Sequence, residues 1–193
     1  RFRQIAMHHP PRSAEPSLQD VFDVVHPRIR EATLRAAEVL KQAGVRHVLV
    51  GGLAVGVHGY PRATKDVDFL VGDETFHDST ARIVVPRVQL PYQIGSVAVD
   101  YIPIPIGAEF LDTVLDHPVM CEGVPVAPVE VIVFMKLSSS RAKDNADVIE
   151  LIKADMDVAA VREYLDAHAT KELRQRFDDA VQRAATERAA EDV

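Results

Sequence analysis

Val45-Arg-His-Val-Leu-Val50-Gly51-Gly52-Leu-Ala-Val-Gly-Val-His-Gly-Tyr-Pro-Arg62-Ala-Thr64-Lys-Asp66-Val-Asp68-Phe-Leu-Val71 holds two short apolar runs, a double glycine between them, and two carboxylates one residue apart. Val45 to Val50 suits a buried strand that runs into a tight turn and then a short helix through Ala54 and Val57. Val67 to Val71 reads as a second strand. Strand side chains alternate, so Asp66 and Asp68 emerge from one face with Cα atoms about 7 Å apart. Two anions crowded onto one surface call for cations. Further on, Val97-Ala-Val-Asp100-Tyr-Ile102 alternates in strand fashion between Gly95 and Pro103 and delivers a third aspartate.

An Asp-x-Asp pair with a third aspartate on a neighbouring strand suits two divalent ions, Mg²⁺ first and Mn²⁺ second, because hard carboxylate oxygens bind them well. Such ions align a triphosphate: one activates an attacking hydroxyl and the other neutralises the leaving pyrophosphate. Asp66 and Asp68 are then metal ligands, and Asp100 completes the site and accepts the proton of the attacking hydroxyl. Gly51 and Gly52 fit the same picture, since a glycine turn at a strand end lets backbone N–H groups approach phosphate oxygens. A Gly-Gly alone is equally a structural turn. The Asp-x-Asp pair that follows it gives it weight.

A chain of 193 residues suits one compact domain or one domain with a small helical appendage. No uninterrupted apolar run approaches the roughly 20 residues of a membrane span. The single cysteine, Cys121, rules out an intrachain disulfide framework and a cysteine zinc site, which fits a reducing compartment, so a cytoplasmic protein is expected. A net charge of -7 argues against a broadly basic nucleic-acid surface while leaving room for a local patch. Arg1 to Asp20, with Pro10, Pro11 and Pro16 and no methionine at its start, reads as a loose or processed arm that includes His8 and His9. The expected organisation is a flexible arm over 1–25, a core over 26–155 and C-terminal helices over 156–193.

Between those landmarks, Ile29, Leu34, Ala36, Ala37 and Leu40 recur at near-helical spacing before Gly44. Arg82 to Val88 is a β-rich run, Ala108 to Leu115 looks helical, and Val119 to Val126 around Glu122-Gly123 resembles a hairpin. Val129 to Leu137 stays open, because its β-branched residues favour a strand while Pro128 favours a helix start. Ala142 to Ala154 and Val158 to Ala167 are helical, and Leu173, Phe177, Ala180, Val181 and Ala184 mark the apolar stripe of a last helix.

Gly51-Gly52, Arg62-x-Thr64-x-Asp66-x-Asp68 and the later strand aspartate Asp100 resemble the nucleotidyltransferase superfamily with the DNA polymerase β-like fold. Lys136-Leu-Ser-Ser-Ser-Arg141-Ala-Lys143-Asp144-Asn-Ala-Asp147 is similar to the lysine, arginine and Lys-Asp-x-x-Asp helix of AbiEii-type nucleotidyltransferases, a group that includes toxins of toxin–antitoxin systems. The resemblance implies an α+β fold: a short mixed β-sheet flanked by helices, with a helical C-terminal region and a helix over Val129 to Leu137. It further implies metal ligands at Asp66, Asp68 and Asp100, and nucleotide contacts from Gly51, Gly52, Arg62, Thr64, Lys136, Lys143 and Asp144. The activity implied is transfer of NMP from an NTP, such as ATP, to an acceptor hydroxyl. A tRNA 3′ end is the first acceptor, an aminoglycoside-like small molecule the second and a protein hydroxyl the third, with a cognate antitoxin as a partner. A catalytically silent nucleotide-binding or toxin–antitoxin interaction module is the alternative of a different class. The Gly-Gly-Leu-Ala turn departs from the Gly-Ser turn of minimal antitoxin-type enzymes, which argues against self-contained AMPylation of a toxin.

Plainer readings stand beside these. Arg62, Thr64 and Lys65 also make sense as a solvated loop, and Asp147 as an in-helix partner of Lys143 four residues earlier. His58 falls on the short helix and is left out of the site.

Overall fold

In the computed structural model, which describes residues 17–77 and 85–191, the chain opens with two helices, α1 (Leu18–Val24) and α2 (Pro27–Gln42). The segment 17–25, expected to belong to a loose arm, is instead folded. Ser17 caps α1 by accepting from the Asp20 N–H, and Leu18 and Val21 are fully buried. A long-range contact adds to this, because the Leu18 N–H donates to Glu122 Oε2 at 2.9 Å. Residues 1–16, with His8 and His9, lie outside the described residues, as do positions 82–84 of the β-rich run at 82–88. Helix α2 begins with Pro27 at its first position and ends before Gly44 at φ +68°. Its buried face is Ile29, Ala32, Thr33, Ala36, Ala37 and Leu40, so Leu34, placed on the stripe by spacing, turns to solvent instead.

The glycine turn follows as read: β1 (His47–Val50) passes directly into α3 (Gly51–Val57), and β2 (Asp66–Val71) returns antiparallel to β1. A 3₁₀ turn over Asp73–Thr75 leads to a separate two-stranded ladder of β3 (Phe76–His77) and β4 (Val85–Pro86). Then come β5 (Gln93–Ile94) and β6 (Val97–Pro103), a 3₁₀ turn over Glu109–Leu111, and α4 (Asp112–Asp116). The expected hairpin is β7 (Val119–Cys121) and β8 (Val124–Val126), whose turn residues Glu122 and Gly123 both have positive φ, as a type I′ connection requires.

Six strands form one mixed sheet in the order β5-β6-β2-β1-β8-β7. β2 pairs in parallel with β6, and β1 in parallel with β8, while the other pairs are antiparallel. β1 is central and all four of its residues are buried. In β6 the alternation is explicit: Val97, Val99 and Tyr101 are buried and Ala98 and Asp100 exposed.

Four helices complete the chain: α5 (Val129–Ser138), α6 (Ala142–Lys153), α7 (Val158–His168) and α8 (Lys171–Glu191). The open segment is thus helical. β-branched residues cost a helix only a few tenths of a kcal/mol each, and burial of Val131, Ile132, Val133 and Leu137 outweighs that. Apolar side chains from Leu18 to Ala184 join one continuous core, so a division at 155/156 separates elements rather than cores. Among the described residues, no helix is long and apolar enough to cross a membrane.

The burial of α1 has a measurable consequence. Leu18→Ala is expected to lower the unfolding free energy by about 2–4 kcal/mol, the range for truncating a buried leucine. Urea denaturation reads this, and an unshifted midpoint would return the segment to the status of an arm.

Candidate active site

β1 ends where Gly51 adopts φ +68°, a left-handed conformation that only glycine takes at little cost. Space demands glycine as well: a Cβ on Gly51 would lie 1.9 Å from Asp68 Oδ2. Gly52 is similarly confined, its Cβ position being 3.0 Å from Thr64 Oγ1. The double glycine is therefore the floor against which Asp68 and Thr64 rest.

Sheet register assembles the carboxylates. Val50 pairs with Asp68 across β1 and β2, and Asp68 pairs with Asp100 across β2 and β6. Asp66 and Asp68 are half-buried and Asp100 is exposed, and one carboxylate oxygen from each lies within 4.8 Å of the others. Thr64 Oγ1 donates to Asp66 Oδ1 at 2.8 Å, which orients that carboxylate. Burial, reinforced by the charges of Asp66 and Asp100, pushes the Asp68 carboxyl up to about 6, against the opposing pull of Lys136 and Arg141. Three hard-oxygen donors on neighbouring backbone positions, one of them reluctant to ionise without a cation, form a donor set that suits a divalent metal ion.

Opposite the triad stands a network of ion pairs on α5, α6 and the loop before β2. Lys136 Nζ lies 2.7 Å from Asp144 Oδ1 and 2.7 Å from Asp147 Oδ2. Arg62 donates through Nε and Nη2 to the two oxygens of Asp147, both at 2.7 Å, and through Nη1 to the Ala63 carbonyl at 3.1 Å. Arg141 Nε donates to Asp144 Oδ2 at 2.7 Å. Asp144, Asp147 and Lys136 are all buried. For Asp144 burial acts against ionisation, yet the hydrogen bonds from Lys136, Ser139 and Arg141 prevail and hold its carboxyl at about 2.

All the site positions read from the sequence line a single cleft: Gly51, Gly52, Arg62, Thr64, Asp66, Asp68, Asp100, Lys136, Lys143 and Asp144. Their contacts refine the expectations. Arg62, expected to grip phosphate with its fork, has that fork engaged by Asp147, and Thr64 is bonded to Asp66 rather than standing free. Asp147 serves Arg62 and Lys136 from other elements, not Lys143 on its own helix. Lys143 is exposed at the rim. Arg141 also lines the cleft and was not among the assigned site residues, although it stands within the motif. An apolar wall of Ile102, Ile132 and Met135 went unread too, because their spacing signals only core. His58 is outside the cleft, its Nε2 2.7 Å from the Ala127 carbonyl, and burial lowers its basicity.

Comparison with solved structures finds this arrangement of elements in an antigenic nucleotidyltransferase-like protein from Paracoccidioides brasiliensis. The fold is nucleotidyltransferase-like. The two chains are 17% identical with a TM-score of 0.53, over 86% of this chain and 93% of that one, which is a likeness of fold. No family model matches the chain, and no curated protein matches it in sequence.

Two outcomes follow from the electrostatics. The folded-state value of about 6 for Asp68 lies above its ordinary 3.8. Stability contributed by this group is thus fully present below pH of about 4 and is lost as pH rises through about 6. In EDTA, Asp68→Asn is expected to be more stable than wild type at pH 7.5 by up to about 3 kcal/mol, with the difference vanishing below pH of about 4; thermal melts across pH check it. Asp147→Ala leaves Arg62 and Lys136 short of a buried counter-charge and is expected to cost about 3–5 kcal/mol in chemical denaturation.

Proposed function

We propose that this protein is a Mg²⁺-dependent nucleotidyltransferase that moves an NMP group from an NTP to an acceptor hydroxyl and releases pyrophosphate, with motifs that resemble those of AbiEii-type enzymes. The observation that carries the reading is the triad on adjacent strands, with one oxygen of each aspartate within 4.8 Å of the others, in a cleft also lined by Gly51, Gly52 and Lys136.

Charge within the cleft supports metal dependence. Asp66, Asp68, Asp100 and Asp144 line it together with Arg62, Lys136, Arg141 and Lys143, so its ionised side chains are formally balanced. A triphosphate is a polyanion, and a balanced cleft attracts it only when further positive charge enters. Bound at the three carboxylates, divalent ions would supply that charge and make the attacking hydroxyl more acidic.

The chain's own residues do the rest. Asp66, oriented by Thr64, and Asp68, seated on Gly51, would hold the metal. Asp100, the exposed member, completes the triad and receives the proton of the attacking hydroxyl. Lys136 has two of its three N–H donors directed at Asp144 and Asp147, which fixes the ammonium and leaves one donor for phosphate. Lys143, exposed at the rim, and the backbone at Gly51-Gly52 add further phosphate contacts. Arg62 acts by holding Asp147 beside Lys136.

A polyanionic acceptor fits the rim better than a cationic one. Arg141, with 65% of its side chain exposed, and Lys143 both stand there. This favours a tRNA 3′ end over an aminoglycoside-like molecule, and with it a toxin role relieved by a cognate antitoxin.

Each labelled NTP, incubated with Mg²⁺ and total tRNA, is expected to transfer label to RNA. The Asp66→Ala, Asp68→Ala double variant is expected to lose at least about a thousandfold in rate, because removing the metal ligands removes most transition-state charge stabilisation. Wild type no more active than the double variant on RNA, aminoglycoside-like small molecules or protein sinks the enzymatic reading. A rise in melting temperature with Mg²⁺ and NTP would then leave a binding module.

A further inference from the structure

Arg176 lies on α8, outside the cleft, in a helix whose sequence shows only an apolar stripe. Its half-buried guanidinium donates three times: through Nη1 to the Leu137 carbonyl, and through Nη2 to the Ser139 carbonyl at 2.9 Å and to Asn145 Oδ1 at 2.7 Å. Leu137 is in the last turn of α5, Ser139 is the residue that ends it, and Asn145 is in the first turn of α6. One planar cation thus spans both ends of the connection between the two helices that form the cationic side of the cleft.

The last carbonyls of a helix have no partner within it, and a cation there also suits the helix dipole. Arg176 satisfies two such carbonyls, but its reach goes further. Ser139 Oγ accepts from Arg141 N at 3.2 Å and from Arg141 Nε at 3.3 Å. Arg141 Nε donates to Asp144, and Asp144 takes the Lys136 ammonium. A continuous series of polar contacts therefore runs from α8 to Arg141 and Lys136. Arg188, also on α8, offers a natural comparison: it bonds the Ile152 and Lys153 carbonyls at the end of α6, and Asp155, and none of these three partners lines the cleft.

The geometry points to Arg176 as a positioning residue for the nucleotide cleft: it clamps the α5–α6 connection so that Lys136 is held facing the triphosphate and Arg141 is held at the rim. This rests on the nucleotide-site reading above. The metal ligands stand on β2 and β6 and do not depend on the clamp, so nucleotide and metal affinity should separate. Lysine is a poor replacement, because a single ammonium cannot match the planar fork that reaches three acceptors.

The test is calorimetric titration of the full chain with Mg²⁺ alone and with each NTP plus Mg²⁺, together with amide hydrogen exchange. Arg176→Ala is expected to weaken NTP binding about tenfold, the loss of roughly one well-made contact to a charged group. Its affinity for Mg²⁺ alone should stay at the wild-type level, and Arg176→Lys should fall between the two. Arg188→Ala should keep NTP affinity within about twofold of wild type. The Arg141 and Asp144 amides should exchange faster in Arg176→Ala and not in Arg188→Ala. If Arg176→Ala does not fold, Arg176→Lys and Asn145→Ala, which removes one bond of the three, carry the same comparison.

Wild-type NTP affinity in the Arg176 variants overturns the proposal, as does an equal loss in Arg188→Ala or a parallel loss of Mg²⁺ affinity, since each marks a merely structural role. If wild type binds no NTP at all, the nucleotide reading fails by itself, and with it the triphosphate part of the proposal. The exchange data still judge the clamp, and unchanged protection at Arg141 ends it.

Discussion

The carboxylate of Asp68 occupies the place where a side chain on Gly51 would have to go. That close approach, with a Cβ position 1.9 Å from Oδ2, ties the end of β1 to the middle of β2 and leaves glycine as the residue that fits. Sheet register does the remainder, setting Asp100 beside Asp68 and Asp66 one pleat away. The sheet thereby holds three like charges together, one of them with its carboxyl pushed up to about 6 by burial. Such a cluster is a standing repulsion that a cation at the three carboxylates would relieve.

The facing wall solves the opposite problem. Lys136 is buried, and a buried ammonium survives only when it is paired and its donors are satisfied. Asp144 and Asp147 provide the pairing, and each is shared with an arginine, Arg141 for one and Arg62 for the other. Asp147 thus ties the loop before β2 to α5, and Asp144 ties α5 to the start of α6. The carboxylate side of the cleft is held through backbone pairing, whereas the cationic side is held through side-chain ion pairs and helix ends. The two halves therefore respond differently to substitution and to pH.

Much of this was legible in the chain. The strand–glycine turn–strand reading of Val45 to Val71, the third aspartate on β6, the hairpin at Glu122-Gly123 and the late helices all follow from local signals: alternation, 3.6-residue spacing and turn residues. Elsewhere the signals misled or fell silent for identifiable reasons. Leu34 sits at a plausible stripe position, but the buried face of α2 also takes in Ala32 and Thr33, whose small side chains weigh little in a hydrophobic pattern. The proline-rich start suggested an arm through residue 25, whereas Leu18 and Val21 find a place in the core and the Leu18 N–H finds Glu122, more than a hundred residues away in sequence. Val129 to Leu137 carried strand-like residues because a helix buried on most sides can use any apolar side chain; resemblance, not periodicity, pointed to the helix.

Residue types and spacing were sufficient to pick out the three aspartates and the glycine turn beside them, since a pair of aspartates on one strand face is a local pattern; the charged groups facing them came from the resemblance, and Arg141 among them went unassigned. Which charge meets which was decided by tertiary structure alone. Arg62 binds Asp147 rather than standing free, Thr64 serves Asp66, and Arg176 reaches from the last helix to the α5–α6 connection. Partners of this kind are far apart along the chain and become neighbours only when helices pack against the sheet. A linear pattern records which groups a chain possesses; the distances of a few ångströms that set their pairing, and with it their protonation and availability to a ligand, exist only in the folded molecule.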